Sequence, residues 1–205
     1  MPLKVLALNC SLKPSTQPSS TEKLLAELMA ALREYDAQGD IVRVVDFNVK
    51  PGVSADEGEG DDWPKLRRRV LDCDILVLGS PIWLGQPSSV AKRVLERMDA
   101  FLGERDAMQR MPTYGKVALA AVVGNEDGAH HVAAELCEAL AEVGFTIPSG
   151  AVTYWVGEAL GKTNYVDLTE PPKEVAEWTP LLAANAAHLA ALLQKSNYPG
   201  RKPAS

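Results

Sequence analysis

The chain has 205 residues, 46% of them hydrophobic and 23% charged, which is the composition of a soluble globular protein with one sizeable core. Its net charge of -6 attracts neither nucleic acid nor an anionic membrane by bulk charge. Three cysteines are too few for a disulfide framework and favour a cytoplasmic location. We expect no signal peptide, since the first residues lead directly into a strand pattern, and no membrane helix, since no apolar run reaches about 18 residues.

The first predicted unit is a strand, a polar loop and a helix. Residues 3–8 are an apolar run that predicts a buried parallel strand. Residues 22–32 carry leucines at helical spacing, and Ser19 and Glu22 have the spacing of a capping box. The loop between them, residues 9–21, is rich in hydroxyl groups and contains one lysine and no acid. Such a loop, ending at a helix N-terminus, is suited to hold a phosphate group.

The rest of the sequence continues the alternation of strands and helices. Strands are predicted at 41–46, 74–80, 117–123 and 145–155, and helices at 63–71, 88–101, 129–143 and from Thr179-Pro180 onward. The acid- and glycine-rich segment 51–62 is expected to be a mobile surface loop, and residues 198–205 a disordered tail. The alternation predicts an α/β fold with a doubly wound parallel sheet, in a single domain over residues 1–197.

Three loops of unusual composition follow the carboxyl ends of predicted strands, where ligands bind in such sheets. They are residues 9–21, 80–87 and 124–129. The second loop places Trp83 between two prolines, and its free backbone amides suit a flat ligand with acceptor edges. The third loop is bounded by glycines, which permit a close approach of the backbone. Their meeting at one edge is a stronger indication of a site than any single loop.

Spacing tests exclude several ligands for the first loop. It has no glycine, so neither a Walker loop nor a Rossmann dinucleotide fingerprint is present. A small phosphotyrosine phosphatase would pair a cysteine after the first strand with an arginine six residues on, but Cys10 is followed by threonine at that position. We therefore expect Cys10 to be a packed residue at a strand end rather than a nucleophile.

Two further features leave alternatives open. His130 and His131 are adjacent on a predicted helix and point about 100° apart, so no metal site is expected; His130 fits a ligand rim and His131 a structural role. The aromatic segment 154–165 either covers the ligand or packs beneath the last helix. The sequence does not decide between these two roles.

The three loops together carry a resemblance to a known family. The segments that carry it are Asn9 to Ser15 with Ser19 to Glu22, Gly79 to Ser89, and Gly124 to Gly128. They resemble the flavodoxin-like family of FMN-dependent NAD(P)H oxidoreductases, in its NADPH-dependent FMN reductase branch. The second segment is the most specific, because family members carry a similar Pro-Ile-aromatic-x-Gly-x-Pro-Ser stretch. The resemblance covers roughly residues 3–155.

The resemblance implies a flavodoxin-like fold, with a five-stranded parallel sheet in the order 2-1-3-4-5 and helices on both faces. It also implies an FMN site. The residues that would hold the FMN phosphate are Ser11, Lys13, Ser19, Ser20 and Thr21. Those that would border the isoalloxazine ring are Pro81, Ile82, Trp83, Leu84 and Gly85, with Gly124, Asn125 and Gly128 at its other edge. No catalytic side chain is named, because the flavin itself carries the redox chemistry.

The activity implied by the resemblance is transfer of a hydride from NADPH or NADH, through flavin N5, to a small acceptor such as a quinone or another flavin. The first loop is longer than the threonine-rich loop of flavodoxins, which disfavours a pure electron carrier. An electron carrier or redox-responsive interaction protein stays as the alternative, and a flavin-free relative as a third. A homodimer or homotetramer is implied, in which segment 154–165 or 51–62 could meet a neighbouring subunit.

Overall fold

The computed structural model describes residues 2–159 and 161–202. Its central sheet contains five parallel strands, in the order β2-β1-β3-β5-β6, and a sixth strand, β4, pairs with the end of β3. The strands are β1 (Leu3–Asn9), β2 (Ala37–Arg43), β3 (Ile75–Trp83), β4 (Gln86–Pro87), β5 (Val117–Gly124) and β6 (Val152–Val156). Without the two-residue β4, this is the order 2-1-3-4-5, so the expected doubly wound sheet is confirmed.

Helices cover both faces of the sheet. They are α1 (Ser20–Arg33), α2 (Trp63–Asp72), α3 (Ser89–Met98), α4 (Ala129–Glu142) and α5 (Lys173–Lys195). Alternate residues of a strand point to opposite faces, so Val5 and Ala7 pack with α1 and α5, whereas Leu6 and Leu8 pack with α2, α3 and α4. Both faces are apolar and covered, as a parallel sheet requires. Within the described residues, no helix is both long and apolar enough to cross a membrane.

The second strand lies earlier in the chain than predicted. It covers Ala37–Arg43, and residues 44–46 form a 3-10 turn instead of a strand. Gly39 follows the first helix, where a glycine often ends such a unit, yet it lies inside β2 against Val5 of β1. A Cβ atom at residue 39 would lie 1.6 Å from the Val5 carbonyl oxygen. Glycine is therefore needed here for a close approach between strands, and not for chain termination.

The second predicted loop is partly a β-hairpin. β3 continues through Pro81 to Trp83, and β4 returns antiparallel to it. The two residues at the tip, Leu84 and Gly85, both have positive φ angles, as in the tight turns that connect hairpin strands. Ser88 then caps α3, and its hydroxyl accepts the Ala91 N–H at 3.1 Å. The prolines had indicated a loop, but Pro81 tolerates the extended backbone at a strand end.

The final helix begins before the predicted Thr179-Pro180. It starts at Lys173, so Pro180 lies inside α5 rather than at its first turn. Thr179 is buried and its hydroxyl lies 2.9 Å from that of Thr153 on β6. Packing of α5 against the sheet therefore outweighs the helix-breaking tendency of one proline. The predicted last strand is also shorter, since it covers Val152–Val156, with a single bridge from Thr146 to Val117.

The acid-rich segment 51–62 is anchored to the core, against the expectation of a mobile loop. The carboxylate of Asp61 pairs with Arg97 at 2.8 Å, and both side chains are fully shielded from solvent. The tail at 198–205 and the single domain at 1–197 stay predictions; Tyr198 packs on Tyr114 with ring centroids 5.7 Å apart, and residues 203–205 lie outside the described residues.

Candidate functional site

A cleft of about 220 Å³ lies at the carboxyl edge of the sheet, where β1, β3 and β5 end. Ten of the thirteen residues predicted for the site line it: Ser11, Lys13, Ser19, Ser20, Thr21, Pro81, Ile82, Trp83, Gly124 and Asn125. The other three, Leu84, Gly85 and Gly128, lie around the hairpin tip beside it. The lining residues that had no predicted role are Leu12, Val123, Glu126, Trp155, Asn164 and Tyr165. The three loops therefore meet in one cleft.

Three serine hydroxyls at one end of the cleft act as acceptors within the fold, so their protons remain available to a ligand. The oxygens of Ser11, Ser19 and Ser20 accept backbone N–H groups from Lys13, Glu22 and Val166, each at 3.2 Å. A hydroxyl that accepts a hydrogen bond keeps its own proton free to donate. The backbone N–H groups of the first turn of α1 add donors and a favourable dipole. This end of the cleft is therefore complementary to a phosphate group.

Arg43 fixes the shape of this loop from behind. Its guanidinium donates to the carbonyl oxygens of Lys13 and Pro14 at 2.7 and 2.8 Å, and to the carboxylate of Glu22 at 2.6 Å. Asn9 donates to the same carboxylate at 2.6 Å. Sequence reasoning missed Arg43, whose signal was an arginine at the end of the strand next to β1. Its side chain is 5% exposed, so it acts on the loop rather than on solvent.

Glycines bring the hairpin and the third loop into contact. A Cβ atom at Gly128, which has a φ angle of 117°, would lie 2.7 Å from the Cα atom of Gly85. A Cβ atom at Gly124 would lie 2.9 Å from the Cβ atom of Ile82. Gly85 and Gly128 thus shape the site without lining the cleft. Trp83 lines it while 53% exposed, so the indole can cover a flat ligand at the mouth.

Residues 157–159 and 161–168, which follow β6, border the cleft through Asn164 and Tyr165 and are called the strap below. Its Gly161 carbonyl accepts the Asn125 side-chain amide at 2.9 Å, and its Val166 N–H donates to Ser20. Tyr165 is buried and donates to Glu27 on α1; burial first, and then this carboxylate, raise the pKa of the phenol. Segment 154–165 therefore both lines the cleft, through Trp155, and packs beneath helices. Leu160 lies outside the described residues.

Charge is unevenly distributed along the cleft. Within the described lining, Lys13 is the one cation and lies in the serine-rich loop, whereas Glu126 is the one acid and lies in the third loop. An anionic ligand group is therefore attracted to the first loop and repelled from the third. Sequence reasoning also missed Glu126, whose signal was a carboxylate between the glycines of loop 124–128.

Cys10 and the two histidines lie outside the cleft lining. Cys10 is buried, and burial raises the pKa of its thiol far above the ordinary value, which opposes a nucleophilic role. His130 lies 2.9 Å from the Tyr154 hydroxyl, and His131 lies 3.0 Å from the Gln86 amide. The two rings are thus engaged on different neighbours at the rim. Within the described residues, no group of three His, Cys, Asp or Glu side chains is arranged to share a metal ion.

A larger hollow of about 820 Å³ lies on the far side of Trp155, between β6 and α5. Its charged lining consists of Glu174 and Glu177, within the described residues. Two carboxylates repel a phosphate, and neither the serine-rich loop nor the hairpin reaches this hollow. The smaller cleft therefore remains the candidate site for a phosphate-bearing ligand.

The fold is that of flavodoxin-like proteins, and the cleft is a candidate site for a flat ligand that carries a phosphate. Comparison with known proteins narrows this class. Residues 3–160 match the family described as NADPH-dependent FMN reductase. The chain belongs to this family. Membership confirms the resemblance drawn from the three loops, the FMN cofactor and the class of FMN-dependent NAD(P)H oxidoreductases.

Two curated relatives and one solved structure are similar over nearly the whole chain. The 8-demethyl-8-aminoriboflavin-5'-phosphate synthase of Streptomyces davaonensis is 31% identical, over 97% of this chain and 81% of that protein. The crystal structure of RosB with bound 8-demethyl-8-formylriboflavin-5'-phosphate has a TM-score of 0.88 at 30% identity, over 96% of this chain and 82% of that one. A divalent metal cation transporter MntH of Mycobacterium bovis is 37% identical over 94% of this chain, which spans only 29% of that protein.

Proposed function

We propose that the cleft binds FMN and that the protein uses it to pass reducing equivalents from NADPH or NADH to a small acceptor, such as a quinone or another flavin. The observation that carries this proposal is the set of three serine hydroxyls that keep a free proton beside the N-terminus of α1. When bound, FMN supplies hydride transfer through its N5 position. The residues of the chain then have to bind, orient and shield it.

Each end of the cleft has a separate part in this function. Ser11, Ser19 and Ser20 donate to the phosphate, while Lys13 adds charge and Thr21 a further hydroxyl. Pro81, Ile82 and Trp83 border the ring on one side, and Gly124 and Asn125 border it on the other. Gly85 and Gly128 set the distance between these two sides, and Leu84 lies beside them at the hairpin tip. No side chain is assigned to proton transfer, because hydride transfer from the nicotinamide to the flavin is carried out by the cofactor itself.

The central experiment is reconstitution of the purified protein with FMN, followed by rapid mixing with NADPH or NADH without oxygen. We expect a yellow complex whose absorbance near 450 nm bleaches in the presence of one of the two donors, since family membership provides the class of reaction. A protein that takes up no FMN would refute the cofactor site. One that takes up FMN but bleaches with neither donor would instead be an electron carrier or an interaction protein. Quinones, free flavins, azo dyes and nitroaromatics then identify the acceptor.

A second candidate function treats the flavin phosphate as substrate. It is favoured by the 31% identity to an 8-demethyl-8-aminoriboflavin-5'-phosphate synthase and by the TM-score of 0.88 to RosB with its bound intermediate. Mass spectrometry of flavin recovered after incubation with the protein separates the two functions. Unchanged FMN after many turnovers of NAD(P)H supports the reductase, and a change of mass at the ring supports flavin modification.

A cytoplasmic homodimer or homotetramer is part of the same proposal. Its support is the family, the absence of a disulfide bond among the three cysteines, and the exposed Trp83 and Leu84 at the mouth of the cleft, which are 53% and 90% exposed. Exposed apolar groups beside a site are common at subunit boundaries. Light scattering at several protein concentrations measures the mass, and a monomer at every concentration would refute the oligomer.

A further inference from the structure

The third loop contains a buried acceptor that the described chain leaves unsatisfied. Glu126 Oε1 is shielded from solvent and has no hydrogen-bond partner among the described residues. Two other buried side-chain atoms share this property, on Trp63 and Arg67, but only Glu126 lines the cleft. A buried carboxylate oxygen is unfavourable unless a donor meets it. An unsatisfied acceptor at a ligand cleft therefore points to a donor on the ligand.

The residues around Glu126 hold this part of the loop in place. Asn125 donates its amide to the Gly161 carbonyl at 2.9 Å, and Asp127 accepts the Gly128 N–H at 2.8 Å. Gly124 packs closely against Ile82 of the hairpin. Glu126 thus lies between two anchored neighbours, while its own buried oxygen is not used by the described fold. This arrangement fixes the backbone on both sides of a residue that lines the cleft.

The position of Glu126 excludes the phosphate as its partner. The phosphate and the carboxylate are both anions, and the hydroxyls, the helix N-terminus and Lys13 gather at the first loop instead. An ionised carboxylate only accepts hydrogen bonds. The oxidised isoalloxazine ring has a single N–H donor, the imide at N3, while its other edge atoms are acceptors. Among the edges of the ring, only the imide edge therefore complements Glu126, and the other donors of FMN, the ribityl hydroxyls, lie nearer its phosphate end.

We propose that Glu126 accepts a hydrogen bond from the flavin imide N–H and thereby selects the isoalloxazine ring and its direction in the cleft. This inference rests on the proposed binding of FMN. Lys13 at the phosphate end attracts the phosphate, and Glu126 at the ring end repels it, so charge favours one direction of the ligand in the cleft. A flavin entering in the reverse direction would place its phosphate against a carboxylate.

The test compares FMN with N3-methyl-FMN, which lacks the imide hydrogen. We expect the wild-type protein to bind FMN roughly ten- to a hundredfold more tightly, because the lost hydrogen bond involves a charged group. In Glu126→Ala, which removes the acceptor and leaves room for the methyl group, the ratio of the two Kd values should fall close to one. Asp127→Asn is the matched control, since it changes the next and exposed carboxylate, and should keep the wild-type ratio.

The midpoint potential of bound flavin provides a second readout, which a merely structural role would not move. A nearby carboxylate disfavours the negative charge that flavin gains on reduction. Glu126→Gln should therefore raise the two-electron potential by about 30 mV, which is a tenfold gain in affinity for reduced over oxidised FMN. Asp127→Asn should cause a smaller rise, because its charge is exposed.

The outcomes separate this inference from the function on which it rests. A wild-type protein that binds neither flavin refutes the FMN site itself. One that binds both with equal affinity, or a Glu126→Ala variant that keeps the wild-type ratio, overturns the role of Glu126 alone. An unchanged potential in Glu126→Gln also overturns it. A ratio that falls close to one only in Glu126→Ala supports the assignment.

Discussion

Two loops of this protein are each held by a buried arginine, yet only one of them lines the candidate cleft with donor groups. Arg43 donates to carbonyl oxygens of loop 9–21 and to the carboxylate of Glu22. Arg97 donates to the carbonyl oxygens of Lys50 and Ser54, each at 2.9 Å, and to the carboxylate of Asp61, and so holds segment 51–62. The two clamps are built from the same chemical groups. What differs is the use of the remaining donors.

The carboxylate that completes each clamp makes this difference. Asp61 belongs to its own loop and accepts the backbone N–H groups of Lys50, Glu57 and Trp63, at 3.2, 3.0 and 3.1 Å. Glu22 belongs to the helix beyond its loop and is 42% exposed, so the donors at the cleft are left free. A polar loop thus becomes a phosphate site when its fold is secured by groups that do not consume its donors.

The largest expected effect comes from breaking the ion pair of Arg97 and Asp61, which holds segment 51–62. In Arg97→Met, the carboxylate of Asp61 stays buried without its cation, which should lower the free energy of unfolding by about 3–5 kcal/mol. Urea denaturation measures this loss. Lys92→Met, which changes an exposed lysine on the same helix, should cost well under about 1 kcal/mol. Folded Arg97→Met should bind FMN as the wild type does; a weakened affinity would mean that the two loops are coupled.

A negative charge placed in loop 9–21 should have the next largest effect, and this effect should be on FMN binding and not on stability. We expect Ser20→Asp to weaken FMN binding at least about 100-fold, because like charges in a binding site cost several kcal/mol. Titration of flavin fluorescence measures the Kd. Thr16→Asp adds the same charge to an exposed position of the loop outside the cleft lining, and should change the Kd far less. Equal losses in both variants would argue against a phosphate at Ser20.

Removal of Arg43, which holds loop 9–21, should moderately weaken both the stability of the fold and the binding of the phosphate. Arg43→Met removes charged hydrogen bonds and should cost about 2 kcal/mol of unfolding free energy. It should also weaken FMN about tenfold while leaving riboflavin, which lacks the phosphate, unaffected. Arg69→Met serves as control, because its ion pair with Asp40 is exposed. A parallel loss of riboflavin binding would show that Arg43 supports the whole cleft rather than the phosphate end.

The smallest expected effect is a pH dependence at the outer side of the same loop. The Ser15 side chain and backbone N–H hold the pKa of Asp46 below its ordinary value. The ionised carboxylate is therefore favoured by folding, and its contribution is full above pH 4 and lost as the pH falls through the lowered value. Acid should thus destabilise the wild type slightly more than Asp46→Asn. Urea midpoints between about pH 5 and pH 2 measure this difference, and identical profiles would contradict it.

The parts of the fold that sequence predicted well are those decided by near neighbours. The cap of α1 at Ser19 is an example, since the Glu22 N–H donates to its hydroxyl at 3.2 Å, as the capping-box spacing indicates. Apolar runs likewise predicted β1 and β3, because buried parallel strands need little else. The three loops at the carboxyl ends followed from the parallel topology and not from any one motif.

What sequence could not provide depends on contacts between distant segments. By sequence, Gly39 fits the end of a helical unit, but its close contact with Val5 places it inside a strand. Pro180 fits the start of a helix, but the packing of Thr179 on the sheet places it inside one. Arg43 and Arg97 resemble ordinary surface charges, although both are buried beneath loops. Glu126 is marked only by its unpaired oxygen, a property of the folded cleft and not of the loop sequence.

The bond between the strap and the first loop links ligand binding to the exchange of a single backbone hydrogen. The Val166 N–H donates to Ser20, whose own proton is free for a phosphate. A backbone hydrogen exchanges with solvent only when its bond opens, so its exchange rate reports how often the strap separates from α1. Bound phosphate would fix the Ser20 hydroxyl and slow this opening. Slower deuterium uptake at Val166, measured by mass spectrometry, would then report that the cleft is occupied, although Val166 itself does not line the cleft.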